Sequence, residues 1–361
     1  MAHPADQTTT PIHPVHAGRK RKFRLVTKGA FKRIAILFLC IALLLYARFW
    51  YMVSMPGRTF TGPLPAATGE QQAAAGRIRA DVESLASKIG KRSTMDPRGM
   101  ADAAKWIMAQ MRTAGYGEPG QTFVERNAKT PNLEYILAPA AGSAAAKQIV
   151  VIGAHYDTFA GTPGADDNAS GVAGVLELAR RFAGKAQQRE VRFVFFVNEE
   201  PPSFWTSDMG SWVYAKACRA KNDDITAMLS LEAIGFYTDE IGYQKYPPLV
   251  GSLYPEKGNF IGFVGNLDSR SLTRRCIGKF REQTKFPSEG AALPGYFPGV
   301  GWSDQWSFWQ EGYPGVMVTD TATFRNPHYH LGSDKPATLN YDAMSRVLDG
   351  LTEIVTDLAN K

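Results

Sequence analysis

The sequence predicts an α/β domain, a mostly parallel central β-sheet flanked by helices, preceded by one N-terminal transmembrane helix. Runs such as Gln148-Ile-Val-Val-Ile152 are continuously apolar, as strands buried on both faces must be. Stretches of helical periodicity alternate with these runs, the order of βα units in a parallel sheet. Near the N-terminus a long apolar stretch follows a cluster of positive charge.

That cluster comes first in the chain. Residues 1–33 hold eight Lys or Arg (Arg19, Lys20, Arg21, Lys22, Arg24, Lys28, Lys32 and Arg33) against one acid, Asp6. They account for the whole net charge of +7. The rest of the chain is balanced, so a nucleic-acid surface, which needs basic residues spread over the folded domain, is not expected. From Ile34 to Ala47 the chain is apolar, followed by Arg48 and the aromatic run Phe49-Trp50-Tyr51-Met52. With Arg48 snorkelling to the interface, residues 34–53 suit a transmembrane signal-anchor. The basic flank places residues 1–33 in the cytoplasm as a tail, and Trp50 and Tyr51 suit the far interface. A cleaved signal peptide would require a small-x-small site directly afterwards. Bulky aromatics stand there, which favours a single-pass anchor with an extracytoplasmic (periplasmic or extracellular) domain over a cleaved signal peptide; on either reading the rest of the chain is exported.

Residues 54–75, with Pro56, Gly57, Gly62, Pro63, Pro65 and an Ala/Gln run, read as a linker to a domain over 76–361. Ile78, Val82, Leu85 and Ile89 share one face of a helix that starts near Arg77 and stops at Gly90. Asp96-Pro97 opens a second helix to Gly115. Strand-like runs follow at Thr122–Glu125 and Leu133–Leu137, then the strand at 148–152. Helix 170–184, strand Val191–Val197, helix 209–220 and strand Met228–Leu231 alternate. Strand Phe260–Val264, helix 268–284, strand Val316–Thr319 and helix 341–359 complete the domain. Cys40 falls in the apolar segment. Cys218 and Cys276 can pair in an oxidising compartment or remain buried thiols, and the sequence leaves both open.

The chemistry lies just past the strands. Strand 148–152 runs into Gly153-Ala154-His155-Tyr156-Asp157, and then into Gly164-Ala-Asp166-Asp167-Asn168-Ala-Ser-Gly171. Strand 191–197 ends in Asn198-Glu199-Glu200, and strand 228–231 in Glu232. Strand 316–319 precedes Asn326-Pro-His328-Tyr329-His330. Singly, each is an ordinary exposed loop residue or a helix cap. Together they deliver His, Asp, Glu, Glu and His to one sheet edge, where parallel sheets gather their ligands. Imidazole and carboxylate are the donors of hydrolytic zinc, and a bridging carboxylate lets two ions lie side by side. A free carboxylate beside them can take a proton from water. Glu199 and Glu200 can divide these tasks.

These strings, from His155-Tyr-Asp157 to Pro327-His-Tyr-His330, resemble those of the M28 peptidases, co-catalytic zinc aminopeptidases. The likeness covers roughly residues 77–360. It implies the zinc-dependent exopeptidase (phosphorylase/hydrolase-like) fold, two Zn2+ per chain, and aminopeptidase hydrolysis of peptide substrates. Residue by residue, it implies His155 and Glu232 on one zinc, Glu200 and His330 on the other, and Asp167 bridging them. Glu199 matches the general base and Tyr329 the phenol that stabilises the oxyanion. Asp157 would orient His155, and Asp304 matches an outer acid. Two departures stand out: Glu232 occupies a position usually filled by Asp, and Gln305 one often filled by His. Glutaminyl cyclases share the fold with a single zinc, and some relatives are non-catalytic binding ectodomains; a complete set of metal residues plus base favours the peptidase. Phe204, Trp205, Phe236, Tyr237, Tyr296, Phe297, Trp302 and Phe324 are candidates for a substrate pocket or for core.

Overall fold

The computed structural model describes Met1 and residues 27–124, 130–248 and 250–361. Most of the basic tail, including residues 19–24, and Glu125 at the end of the first expected strand lie outside the described residues. The chain divides into two units, Met1–Trp50 and Tyr51–Lys361.

The first unit consists of most of helix α1 (Lys28–Val53), in which Thr27 Oγ1 accepts from the Ala30 amide. Its stretch Gly29–Val53 is long and apolar enough to cross a membrane, and its leucines and isoleucines are exposed.

The second unit is built on an eight-stranded sheet. In chain order the strands are β1 (Gly120–Thr122), β2 (Asn132–Leu137), β3 (Gln148–His155), β4 (Glu190–Phe196), β5 (Asp224–Glu232), β6 (Ile261–Gly265), β7 (Ser288–Ala292) and β8 (Gly315–Thr319). In space they run β1-β2-β4-β3-β5-β8-β6-β7. The central β4-β3-β5-β8 block is parallel, as expected, whereas β2 joins β4 and β6 joins β8 antiparallel. The sheet is therefore mixed, with a parallel heart.

The helices are α2 (Gly69–Glu83), α3 (Pro97–Thr113), α4 (Gly171–Phe182), α5 (Gly210–Ala220), α6 (Arg270–Gln283), α7 (Gln305–Gln310) and α8 (Tyr341–Asn360). The pleat of β3 divides them. Val150, Ile152 and Ala154 enter the larger core, with Ile78, Ile107, Val175, Phe280 and Leu351 of α2, α3, α4, α6 and α8. Ile149 and Val151 point the other way, to Tyr214 of α5 and Phe308 of α7. Cys218 belongs to the second core and Cys276 to the first, so the sheet separates them and both are free thiols.

The expected linker is shorter than its composition suggested. Helix α2 begins at Gly69, where Thr68 and Gln71 form a reciprocal capping box, and a π-helical turn, Ser84–Ile89, extends it. The segment Tyr51–Thr59 lies along α6 and β7. Arg270 Nε donates to the Tyr51 carbonyl (2.7 Å), Arg274 to that of Ser54, and Arg281 Nη1 to that of Pro56 (3.0 Å). The Ser288 amide donates to Thr59 Oγ1 (2.9 Å).

Candidate metal centre

Strand β3 carries His155 on its last residue, and β5 carries Glu232 on its last. Glu199 and Glu200 follow β4 directly, Asp167 lies in the turn before α4, and His330 in the loop beyond β8. All the carboxylates and His155 are buried; the His330 side chain is 26% exposed.

Two groups form. His155 Nε2 is 3.3 Å from Asp167 Oδ1 and 3.2 Å from Glu232 Oε2. His330 Nε2 is 3.0 Å from Asp167 Oδ2 and 3.2 Å from Glu200 Oε1. Each trio's ligand atoms lie within 4.8 Å of one another, and Asp167 belongs to both. Donors about 2.1 Å from a tetrahedral zinc would stand about 3.4 Å apart, close to these spacings. His155 Nε2, His330 Nε2, Asp167 Oδ2 and Glu200 Oε1 are buried without a hydrogen-bond partner, a costly arrangement that two cations would satisfy. The residues fit the metal.

Electrostatics agree. Burial opposes charge on His155, but Glu232, Glu199, Asp157 and Asp167 outweigh it and raise its pKa well above the ordinary value. At His330, Asp167 and Glu200 overcome burial and push the ring up to about 10. Burial alone would raise Asp167, yet the two imidazoles hold it well below the usual carboxylate range. Burial, reinforced by Asp167, pushes Glu200 up to about 8. Burial and neighbouring acids raise Glu199, 3.9 Å from His155 Nε2. So many acids in one dry space call for positive charge.

Around the trios, other groups fix the geometry. Asp157 does more than the expected orientation of His155, whose Nδ1 lies 3.4 Å from its Oδ1. Its two oxygens also accept the amides of Glu199 and Glu200, both at 3.1 Å, and so clamp the glutamate turn. Asn168 accepts the Gly171 and Ala233 amides and donates to the Leu231 carbonyl, tying the Asp167 turn to the end of β5. Asp334 accepts the amides of Asp166 and Asp167. Asn198, Ala233 and His330 take left-handed backbone conformations, uncommon for residues with side chains; Asn198 directly precedes Glu199, Ala233 directly follows Glu232, and His330 belongs to a trio itself. The His330 imidazole is stacked by Phe159 (4.2 Å) and Tyr329 (3.9 Å); two near-parallel rings at these distances must take opposite faces.

Arg92, wholly buried, touches no carboxylate among the described residues. Its guanidinium donates to the carbonyls of Leu85, Gly90, Tyr156, Pro163 and Gly164 at 2.7–3.0 Å. It thus joins the turn after His155 to the turn before Asp167. Asp304 is buried, with its carboxyl pushed up to about 7 by burial, but it is Ser303 that reaches Glu232, donating to Oε2 at 2.7 Å. Asn168 was visible in its motif and Ser303 stands directly before Asp304; Arg92, Phe159 and Asp334 had no signal in the sequence, because nothing in a single chain marks partners that only folding brings together.

A cleft open to solvent leads away from the trios. Glu232 and Tyr329 stand in its wall, which is otherwise mostly apolar. Of the aromatic candidates, Phe297, Trp302 and Phe324 line it, joined by Tyr246, Tyr254 and Phe260. Phe236 and Tyr237 belong elsewhere, and Tyr296 is exposed.

Residues 136–355 match the family model described as Peptidase family M28. The chain belongs to peptidase family M28. All nine residues singled out by the family resemblance fall inside that match. A protein of Escherichia coli K12, YfbL, described as uncharacterized, is 33% identical over 77% of this chain and 87% of its own. A probable zinc metalloprotease of Pyricularia oryzae is 31% identical over 63% of this chain and 49% of its own. Among solved structures, the LapA aminopeptidase of Legionella pneumophila superposes with a TM-score of 0.62 at 20% identity, over 83% of this chain and 78% of that one. The glutaminyl cyclase of Porphyromonas gingivalis does so with 0.55 at 16%, over 79% and 98%. At those identities the likeness is one of fold. This M28 protein is a zinc-dependent metallopeptidase.

Proposed function

We propose that this M28 peptidase is a membrane-anchored aminopeptidase that binds two zinc ions and hydrolyses N-terminal peptide bonds. The observation that carries the reading is Asp167, one carboxylate shared by two complete trios. Residues 1–33 would form a cytoplasmic tail, the apolar helix the anchor, and the domain would work on peptides outside the membrane.

His155, Asp167 and Glu232 would hold one ion, and Asp167, Glu200 and His330 the other. Bound zinc supplies Lewis acidity toward the scissile carbonyl and lowers the pKa of water. Glu199, in neither trio, takes the proton from the attacking water and passes it to the leaving amine. Tyr329 keeps its proton, since burial and four nearby carboxylates raise its phenol well above the ordinary value. It can therefore donate a hydrogen bond to the developing oxyanion. Asp157 positions His155 and the glutamate turn together. The apolar cleft beside Glu232 and Tyr329 suits an apolar side chain on the N-terminal residue.

The test uses the full chain in detergent with zinc, a mixed peptide library and mass spectrometry. Loss of single N-terminal residues is expected, with Glu199→Gln retaining zinc but losing about a thousandfold or more in turnover. Loss of ammonia from peptides led by Gln would instead establish the cyclase reaction. An active Glu199→Gln would remove Glu199 as the base.

A further inference from the structure

The last residues of helix α1 and the segment that follows it, residues 51–59, pack against residues of the cleft wall. Met52 packs into the small cluster of Ala291, Leu293 and Val300, together with Phe297. Those four residues line the cleft from the other side. Met55 reaches β7: a side chain at Gly290, another cleft residue, would begin 3.4 Å from Met55 Cγ. On α6, a side chain at Gly278 would begin 3.0 Å from Pro56 Cγ. A mid-helix glycine costs about 1 kcal/mol relative to alanine, and here its absent side chain makes room for Pro56.

The polar contacts are equally specific. Arg270, Arg274 and Arg281 hold the carbonyls of Tyr51, Ser54 and Pro56. The Arg270 guanidinium also lies 3.6 Å over the Tyr51 ring. Glu289, the acid in this part of the cleft wall, is bound by Arg281 (3.4 Å) and by the Thr59 hydroxyl. The segment thereby takes part in occupying a carboxylate of the cleft wall that lies outside the metal trios.

We infer that residues 51–59 form a strap that shapes the cleft, with Met52, Met55 and Thr59 as positioning residues that fix its capacity for a large apolar side chain. The strap touches the wall and not the metal residues, so it governs which N-terminal residue fits and not the rate of the chemistry. This rests on the aminopeptidase reading above.

The test compares the zinc-loaded full chain with Met52→Ser/Met55→Ser on phenylalanyl- and alanyl-p-nitroanilide. The expected result is a KM for the phenylalanyl substrate raised about tenfold. For the alanyl substrate KM should change less than about twofold, with kcat and zinc content close to wild type for both. Met52→Leu/Met55→Leu, which keeps the packing, should restore the wild-type ratio. Should the serine variant fail to fold, Thr59→Ala, which removes one of the two partners of Glu289, is expected to move the same ratio in the same direction. Unchanged ratios in the folded variants, or equal losses on both substrates, would overturn the inference while leaving the activity standing. A wild-type chain that hydrolyses neither substrate would overturn the activity, and the inference with it.

Discussion

Replacing Arg92 with Met tests whether one guanidinium secures the two turns that carry His155 and Asp167. Methionine fills most of the volume and removes every donor. Five carbonyls lose a partner, and hydrogen bonds to charged groups are each worth about 1.5–3 kcal/mol net. Against that gross loss stands the several kcal/mol spent in burying a guanidinium that no carboxylate touches. Burial lowers the Arg92 pKa only to about 10, so the group is charged at neutral pH and this opposing cost is real. The net destabilisation should be about 4 kcal/mol. For a unit spanning Tyr51–Lys361, unfolding entropy is about 0.65 kcal/mol per degree, so Tm should fall by about 6 °C. Loosened turns should also weaken zinc binding about 10–100-fold, the range found when groups supporting metal residues are removed. Thermal unfolding of the zinc-free protein and competition with a chromophoric chelator measure the two effects. A Tm within a degree of wild type, or unchanged zinc affinity, would refute the reasoning.

His330→Ala should leave about one zinc of two, because Asp167 then keeps only the His155 trio complete; elemental analysis finding both ions retained would refute the assignment. Ser303→Ala removes the hydroxyl that donates to Glu232 Oε2, and zinc affinity should fall about tenfold with Tm nearly unchanged. Burial pushes the Cys218 and Cys276 thiols up to about 12, so at pH 8 roughly one in ten thousand is thiolate. Ellman's reagent should find at most Cys40 in the native chain and all three thiols in denaturant. Rapid reaction of two or more native thiols would contradict the burial.

Much of this molecule was written locally. The apolar runs of β3, β4 and β5 need two covered faces, so they announced the sheet and its parallel heart. The residues beyond their ends came as ordered strings, and the structure brings all five metal candidates together. What escaped was written non-locally. β7, Ser-Glu-Gly-Ala-Ala, has little strand propensity and is extended because β6 pairs with it. α7 is too short to show a period. The Ala/Gln run before Arg77 lacks an apolar stripe, and only the Thr68/Gln71 box betrays the helix. Arg92 looks like any arginine until four segments fold around it.

One of the two edge strands, β7, has consequences for how the protein keeps to itself. One side of it pairs with β6, and the other would ordinarily present unpaired amides and carbonyls to any passing strand. Here side chains fill those positions: Thr59 takes the Ser288 amide, Arg281 the Ser288 carbonyl, and the Tyr254 hydroxyl the Gly290 carbonyl. The sheet is thus ended by chemistry and not by solvent. A soluble form trimmed past Thr59 would reopen the first of these positions, and self-association through that border would follow, visible as concentration-dependent sedimentation.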